Sequence, residues 1–307
     1  MNNILPKLIV IVGPTASGKT ALGIEIAKRF DGEVVSVDSR QVYRGMNIGT
    51  AKSEGEWMQK RFFVDGIPHW GVDLIEPDVE YYSVAEFKKY AEKKIDEILS
   101  RKKLPILVGG TGLWIAAIID NLEIPPVAAD HALRGELEKK SLGDLYAEFK
   151  RLDPVGAEVI DRDNKRRLVR ALEVTKSAGE PFSQLQRKGS PRYQTLQLGQ
   201  DIPRLQINER IDDRVDRMVA RGLVDEVRVL KEKYGCETHA MSGIGYRQIC
   251  DFLDGKEKLE RAIEKVKLAT KQYAKRQMTW FKRDARIAWV GTSEAAIPIV
   301  ERFLQEP

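Results

Sequence analysis

Apolar residues along this chain follow two alternating rhythms. Residues 8–12 (LIVIV) form an unbroken apolar run that stops at Gly13, the pattern of a strand buried on both faces. From Lys19 to Phe30 the spacing turns helical, with Leu22, Ile26 and Phe30 on one face. Residues 34–37 (VVSV) predict a second short strand, ending at Asp38. Ser83 and Glu86 have capping-box spacing ahead of an amphipathic helix that runs to about Ser100. Residues 104–108 (LPILV) predict another buried strand, ending at Gly109–Gly110. Strands alternating with helices imply an α/β fold, with a parallel sheet and helices on both faces.

The rhythm changes at residues 121–130 (NLEIPPVAAD), where paired prolines and small residues suggest a hinge. From about Leu133 to Gln194 the pattern is helical and highly charged, with no strong strand, which suggests an inserted all-helical subdomain. A strand at 195–199 then returns to the core, and long helices are expected over 208–233 and 257–283. The expected organisation is a catalytic core of residues 1–125 and 195–307 interrupted by a helical domain at 126–194. A chain of 307 residues has the length for both.

No 18-residue apolar run is present, so no membrane span is expected. The apolar stretch at the N-terminus runs into a Gly-rich turn without a small-residue cleavage site, and reads as a buried strand rather than a signal peptide. Two unpatterned cysteines, Cys236 and Cys250, and three scattered histidines imply neither a disulfide framework nor a zinc site. A reduced, cytoplasmic, monomeric protein is expected. Net charge is +5, and the distribution is more telling than the total: nine basic residues against two acidic lie between Arg261 and Arg286, with a second basic cluster, DRDNKRRLVR, at 161–170.

GPTASGKT at 13–20 matches the phosphate-loop pattern in full and stands between an apolar strand and a helix, as that pattern requires. Gly13, Pro14, Thr15, Ala16, Ser17 and Gly18 supply a backbone that curls its N–H groups around one anion. Lys19 reaches phosphate oxygens, and the Thr20 hydroxyl is positioned for Mg²⁺. The loop specifies a diphosphate or triphosphate without saying which, and leaves ATP binding open. The strand at 104–108 runs into GGTG, with Thr111 where an NTPase would place an acidic Mg²⁺ ligand, so ATPase machinery is incomplete. The fold expectation is therefore a P-loop NTPase-like parallel sheet with a helical insertion.

DSRQVYRGMNIGTAK (38–52) and GGTGLW (109–114) resemble signatures of the tRNA dimethylallyltransferase, or tRNA isopentenyltransferase, family of bacteria. DNKRRLVRALEV (163–174), RIDDRVDRMVARGLVDEV (210–227), SGIGYRQ (242–248) and TKQYAKRQMTWFKR (270–283) are similar to its further motifs, in order along essentially the whole chain. The resemblance implies transfer of a dimethylallyl group from dimethylallyl diphosphate to N6 of the adenosine 3′ of the anticodon, in tRNAs reading codons that begin with U. Mg²⁺ is the implied cofactor and the tRNA anticodon stem-loop the implied partner. Trp114, Trp70 and Arg40 stand where the family usually has Tyr, His and Met.

An exocyclic adenine amine is a weak nucleophile, so an acceptor for its proton is needed, and Asp38 at a strand end suits that role. By resemblance Asp38 is the general base, and Arg214 joins Lys19 and Thr20 around the departing diphosphate. Thr111 is expected to touch the diphosphate or the acceptor nucleotide. The resemblance further implies tRNA contacts from Asp38, Ser39, Arg40 and Gln41, with Gln41 reading a base edge. It adds Thr111, Arg134, Asn164, Lys165, Arg166 and Arg167, then Gly243, Gly245, Tyr246 and Arg247, and finally Lys275, Arg276 and Gln277.

Overall fold

The computed structural model describes residues 5–79, 82–124, 130–185 and 187–306. Two units divide the chain, one formed by Met1–Ile119 with Arg192–Pro307 and the other by Asp120–Pro191.

In the first unit, β1 (Lys7–Val12) sends alternate side chains to opposite sides: Leu8, Val10 and Val12 join one apolar cluster and Ile9 and Ile11 another. A strand buried on both faces has no polar side, which is why its sequence is an unbroken apolar run. The first unit continues with α1 (Lys19–Arg29), β2 (Gly32–Val37), β3 (Glu56–Met58), β4 (Arg61–Val64), β5 (Ile67–Trp70), α2 (Val84–Ser100), β6 (Leu104–Gly109) and α3 (Gly112–Ile119). The second unit holds β7 (Leu122–Glu123), α4 (His131–Glu138), α5 (Leu142–Leu152), α6 (Pro154–Val159), α7 (Lys165–Ala178), α8 (Phe182–Leu185) and β8 (Arg187–Lys188). The chain returns to the first unit with β9 (Gln194–Gln200), α9 (Arg204–Ala220), α10 (Leu223–Tyr234), α11 (Tyr246–Leu253), α12 (Leu259–Phe281), β10 (Ile287–Val290) and α13 (Ser293–Gln305).

The main sheet runs β10-β9-β1-β6-β2-β5-β4-β3. Pairing is parallel from β10 through β5 and antiparallel at β5–β4 and β4–β3. Helices α1 and α13 cover the Ile9 side through Leu22, Ile26, Ala296 and Val300. Helices α2, α3, α10, α11 and α12 cover the Leu8 side. Because β6 lies between β1 and β2, the turns after these three strands emerge side by side at one edge, where parallel sheets bind ligands.

The predicted parallel sheet is thus a mixed one. The hairpin β3–β5 and the edge strand β10 were not predicted: β3 is exposed throughout, and the short apolar stretches of β4 (RFFV) and β10 (IAWV) cannot be told from a piece of helix by periodicity alone. The helix expected over 208–233 is two helices, since Gly222 takes a left-handed backbone (φ 95°) that ends the first. The second unit spans 120–191 rather than 126–194, and besides its helices it has the two-stranded pair β7–β8. Its core is Leu145, Phe149, Leu168 and Leu172. Half of the hinge proposed at 121–130, residues 125–129, falls outside the described residues.

The two cysteines are not the reduced, unpaired thiols expected. Cys236 and Cys250 are bonded to each other, their Cα atoms 6.2 Å apart, because the chain between them turns back and sets α11 beside the end of α10. Sequence spacing alone could not show this. The bridge closes a short loop, which by loop-closure entropy is worth about 3 kcal/mol. Cys236→Ser, and the native chain under reductant, should therefore both melt several degrees below the oxidised chain. Equal melting midpoints for all three would show that the bridge adds no stability.

Candidate active site

The phosphate loop follows from the end of β1. Gly18 caps α1 with φ 90°, a conformation costly for other residues, and among the described residues no side chain caps that helix. The first N–H groups of α1 therefore have no side-chain cap to compete with an anion. Ser17 is buried (1% exposed) and its Oγ has no protein partner. Lys19 Nζ lies 3.2 Å from the Pro14 carbonyl. Burial lowers its pKa to about 8, an effect opposed by Asp38 and increased by Arg214. Arg214, from α9, donates through Nη1 to Thr15 Oγ1 at 3.3 Å. The two predicted cations, Lys19 and Arg214, thus come from two elements, α1 and α9.

Asp38 ends β2 in a tight turn, its Oδ1 accepting the N–H of Arg40 at 2.8 Å and of Gln41 at 3.4 Å. Thr111, from the turn after β6, accepts the Ser39 N–H on Oγ1 at 3.1 Å and so locks the neighbouring turns together. A cavity of about 350 Å³ opens here, lined by Thr15, Lys19, Asp38, Arg214, Tyr273 and Arg276 among others. Val215, Met218, Ile244 and Val266 give one wall an apolar character. No site role was assigned from the sequence to this wall or to Tyr273. Burial and the nearby Asp38 push the Tyr273 hydroxyl up to about 12, so it stays protonated as a donor. A wider hollow of about 700 Å³, lined by Trp57, Trp70 and Lys94, lies at the hairpin edge away from these groups.

Glu226, on α10, organises the other side of the cavity. Its carboxylate accepts the N–H groups of Asn47 (3.0 Å), Ile48 (2.7 Å) and Gly49 (3.0 Å) and the Tyr246 hydroxyl (2.7 Å). It joins three of the sequence motifs, yet nothing marks it in the sequence beyond its place within GLVDEV.

Several predicted RNA contacts have other partners. Gln41 accepts from Ser36 Oγ at 3.0 Å and donates to the Thr50 carbonyl at 3.2 Å, so its amide is spent inside the loop rather than on a base edge. Tyr246 is 1% exposed and bonded to Glu226, which makes it a pillar rather than a stacking surface. Gln277 is buried and bonded to the backbone on both sides of its amide. Arg40 donates to the His239 carbonyl at 2.8 Å while lining the cavity, as do Ser39, Gly243 and Gly245. In the second unit Arg134 pairs with buried Glu173 at 2.9 Å, and Asn164 caps α7 by accepting the Arg167 N–H at 3.2 Å. Arg166, Arg167 and Arg247 are exposed, and Lys165 is half-buried.

The basic stretch 261–286 divides in two. Lys265, Lys267 and Lys271 pair with Glu257, Asp216 and Asp212, whereas Lys275, Arg276, Lys282 and Arg283 are exposed. Lys275, Arg276 and Arg283 flank Trp280 around a hollow of about 370 Å³, an aromatic ring set among cations.

Comparison with known proteins bears on what this cavity serves. The model of the IPP transferase family matches residues 41–284, and that of isopentenyl transferases residues 6–67. The tRNA dimethylallyltransferase of Carboxydothermus hydrogenoformans is 42% identical over 98% of this chain and 97% of its own length. That of Acetivibrio thermocellus is 45% identical over 94% and 93%. The chain belongs to the tRNA dimethylallyltransferase family. Its fold is that of the family: the tRNA isopentenylpyrophosphate transferase of Bacillus halodurans superposes with a TM-score of 0.70 at 38% identity, over 97% of this chain and 95% of that one. A eukaryotic dimethylallyltransferase captured acting on tRNA gives a TM-score of 0.76 at 30% identity, over 97% of this chain and 79% of that one. Among the described residues no helix is long and apolar enough to cross a membrane.

The low Lys19 pKa has a pH consequence for a family member that binds a diphosphate. Below about pH 8 the ammonium is charged in the free protein. Above it, anion binding must take up a proton, so donor affinity should fall by up to about tenfold per pH unit between 8 and 9.5. Lys19→Arg, whose charge does not titrate in that range, should flatten the decline. Calorimetry with dimethylallyl diphosphate checks this, and a flat native profile would place the Lys19 ammonium outside the binding site.

Proposed function

We infer that this chain is a transferase that moves a dimethylallyl group from dimethylallyl diphosphate to N6 of the adenosine 3′ of the anticodon in tRNA, releasing diphosphate. The observation that carries the assignment of roles is the convergence of Lys19, Arg214 and Asp38 on one cavity. The loop 13–20 holds the donor diphosphate, and Lys19 and Arg214 stabilise the charge it gains as the C–O bond breaks. The N–C bond forms as N6 attacks, and Asp38 takes the N6 proton on the carboxylate oxygen not held by the turn. The apolar wall receives the prenyl chain.

Among the described residues no group of three or more His, Cys, Asp or Glu side chains is arranged to hold a metal. Mg²⁺ needs no such group, because it keeps several waters and binds through substrate phosphates with one or two protein ligands. Thr20 is the protein ligand we assign to it, and the ion would neutralise charge on the diphosphate. The acceptor adenosine must leave its stack to enter the cavity. The exposed cations of α12 around Trp280, and Arg166 and Arg167 of α7, suit the anticodon stem-loop of tRNA. We place the reaction in the cytoplasm, with a monomeric enzyme.

Incubation with labelled dimethylallyl diphosphate and either tRNA, AMP or no acceptor tests the assignment, and label should enter tRNA alone. Asp38→Asn should lower turnover of bound substrates by about 10²–10⁴ while leaving donor affinity nearly unchanged. Turnover near the native rate would remove Asp38 from proton transfer. Replacing Lys275 and Arg276 together should raise the KM for tRNA and flatten the salt dependence of tRNA binding by about two phosphate contacts, with the KM for donor held. An unchanged salt slope would take this part of α12 out of the RNA surface.

A further inference from the structure

Gln277 lies on α12 one residue from the exposed Arg276, yet it is only 7% exposed. Its Oε1 accepts the backbone N–H of Thr15 at 2.8 Å, and its Nε2 donates to the Gly110 carbonyl at 2.9 Å. One amide therefore joins the phosphate loop after β1 to the turn after β6. Thr15 is gripped a second time, on its hydroxyl, by Arg214. The fit around the amide is close: a Cβ at Gly110 would stand 2.2 Å from Gln277 Nε2. Only glycine there leaves room for the amide.

We propose that Gln277 is a positioning residue for the donor diphosphate, acting through the Thr15 N–H to set the curvature of the phosphate loop, rather than a contact to RNA. A backbone N–H already bonded to a buried side chain is not available to the anion. Gln277 thereby decides which N–H groups of the loop point at phosphate and holds the loop in that shape before the donor arrives. Serving one N–H and one carbonyl at once needs a group that both accepts and donates, which among uncharged side chains of this reach singles out the amide. The inference rests on the reading that loop 13–20 holds the donor diphosphate.

The test uses the full chain and inorganic pyrophosphate with Mg²⁺ as probe, measured by calorimetry, with tRNA binding measured separately. Gln277→Met keeps the side-chain volume and loses both hydrogen bonds. It should weaken pyrophosphate binding by roughly tenfold to a hundredfold and leave tRNA affinity and its salt slope at native values. Gly110→Ala, which drives the amide away from the other side, should reproduce that loss and carries the test if Gln277→Met fails to fold. Gln277→Glu gives a signature that a merely structural role would not show. Ionised, it cannot donate to Gly110 and sets a negative charge beside the anion. Protonated, it again donates and accepts. Its pyrophosphate affinity relative to the native chain should therefore recover as pH falls from 8 to 5. Lys19, Asp38, Arg40, Arg214, Tyr273 and Arg276 surround the site, and taking the ratio to the native chain at each pH cancels their titration.

Lys19→Ala distinguishes a failure of the Gln277 role from a failure of the donor site itself. Native pyrophosphate affinity in Gln277→Met and Gly110→Ala, with a loss in Lys19→Ala, would overturn the role of Gln277 and leave the donor site standing. Native affinity in all three would overturn the donor-site reading itself, and this inference with it. A loss of tRNA affinity in Gln277→Met with pyrophosphate binding intact would return Gln277 to the RNA surface.

Discussion

The Glu226 carboxylate accepts three consecutive backbone N–H groups, those of Asn47, Ile48 and Gly49, together with the Tyr246 hydroxyl. Consecutive N–H groups turned toward one point form a concave anion site, and here the anion is part of the protein. The loop that follows Asp38 has little regular structure of its own, so its shape depends on that carboxylate. Lys52, almost fully buried, ties the same loop to Asp73 and to the carbonyl of Tyr43. The lysine and the glycine of NIGTAK are thus architectural. They hold Gly49, Thr50 and Ala51 against the cavity that Asp38 also lines.

How much of this was legible in the sequence depends on whether a signal is local. Central strands of a parallel sheet bury both faces, so β1, β2 and β6 stood out as apolar runs, and α2 announced itself through Ser83 and Glu86. The strand β3 did not, because its three residues are all exposed, and β10 did not, because a run of four apolar residues does not by itself separate strand from helix. The phosphate loop was legible because its chemistry is carried by eight consecutive residues. Asp38 and Arg214 were found through strand position and motif resemblance, and they do line one cavity with Lys19.

What escaped were pairings across the chain. The partner of Cys236 is decided by how α10 and α11 meet, and the partner of Gln277 by where α12 crosses the sheet edge. Motif resemblance groups residues by neighbourhood in sequence. It therefore placed Gln277 with Lys275 and Arg276, although the helix turns its side chain to the opposite, buried face. Gln41 and Tyr246 illustrate the same point: each sits within a motif around the cavity, and each spends its polar group on the protein.

The sheet order has a bearing on biosynthesis. The strand β1 pairs with β6 on one side and with β9 on the other, and β9 follows the whole second unit. Thr15 and Gln277 lie 262 positions apart. A ribosome delivers the phosphate loop early and the residues that shape it almost last. For most of its synthesis the nascent chain carries the loop's sequence without the neighbours that fix its form. Contacts of such long separation form late and slowly. The cavity that this loop lines is thus shaped late, after the second unit has emerged in full.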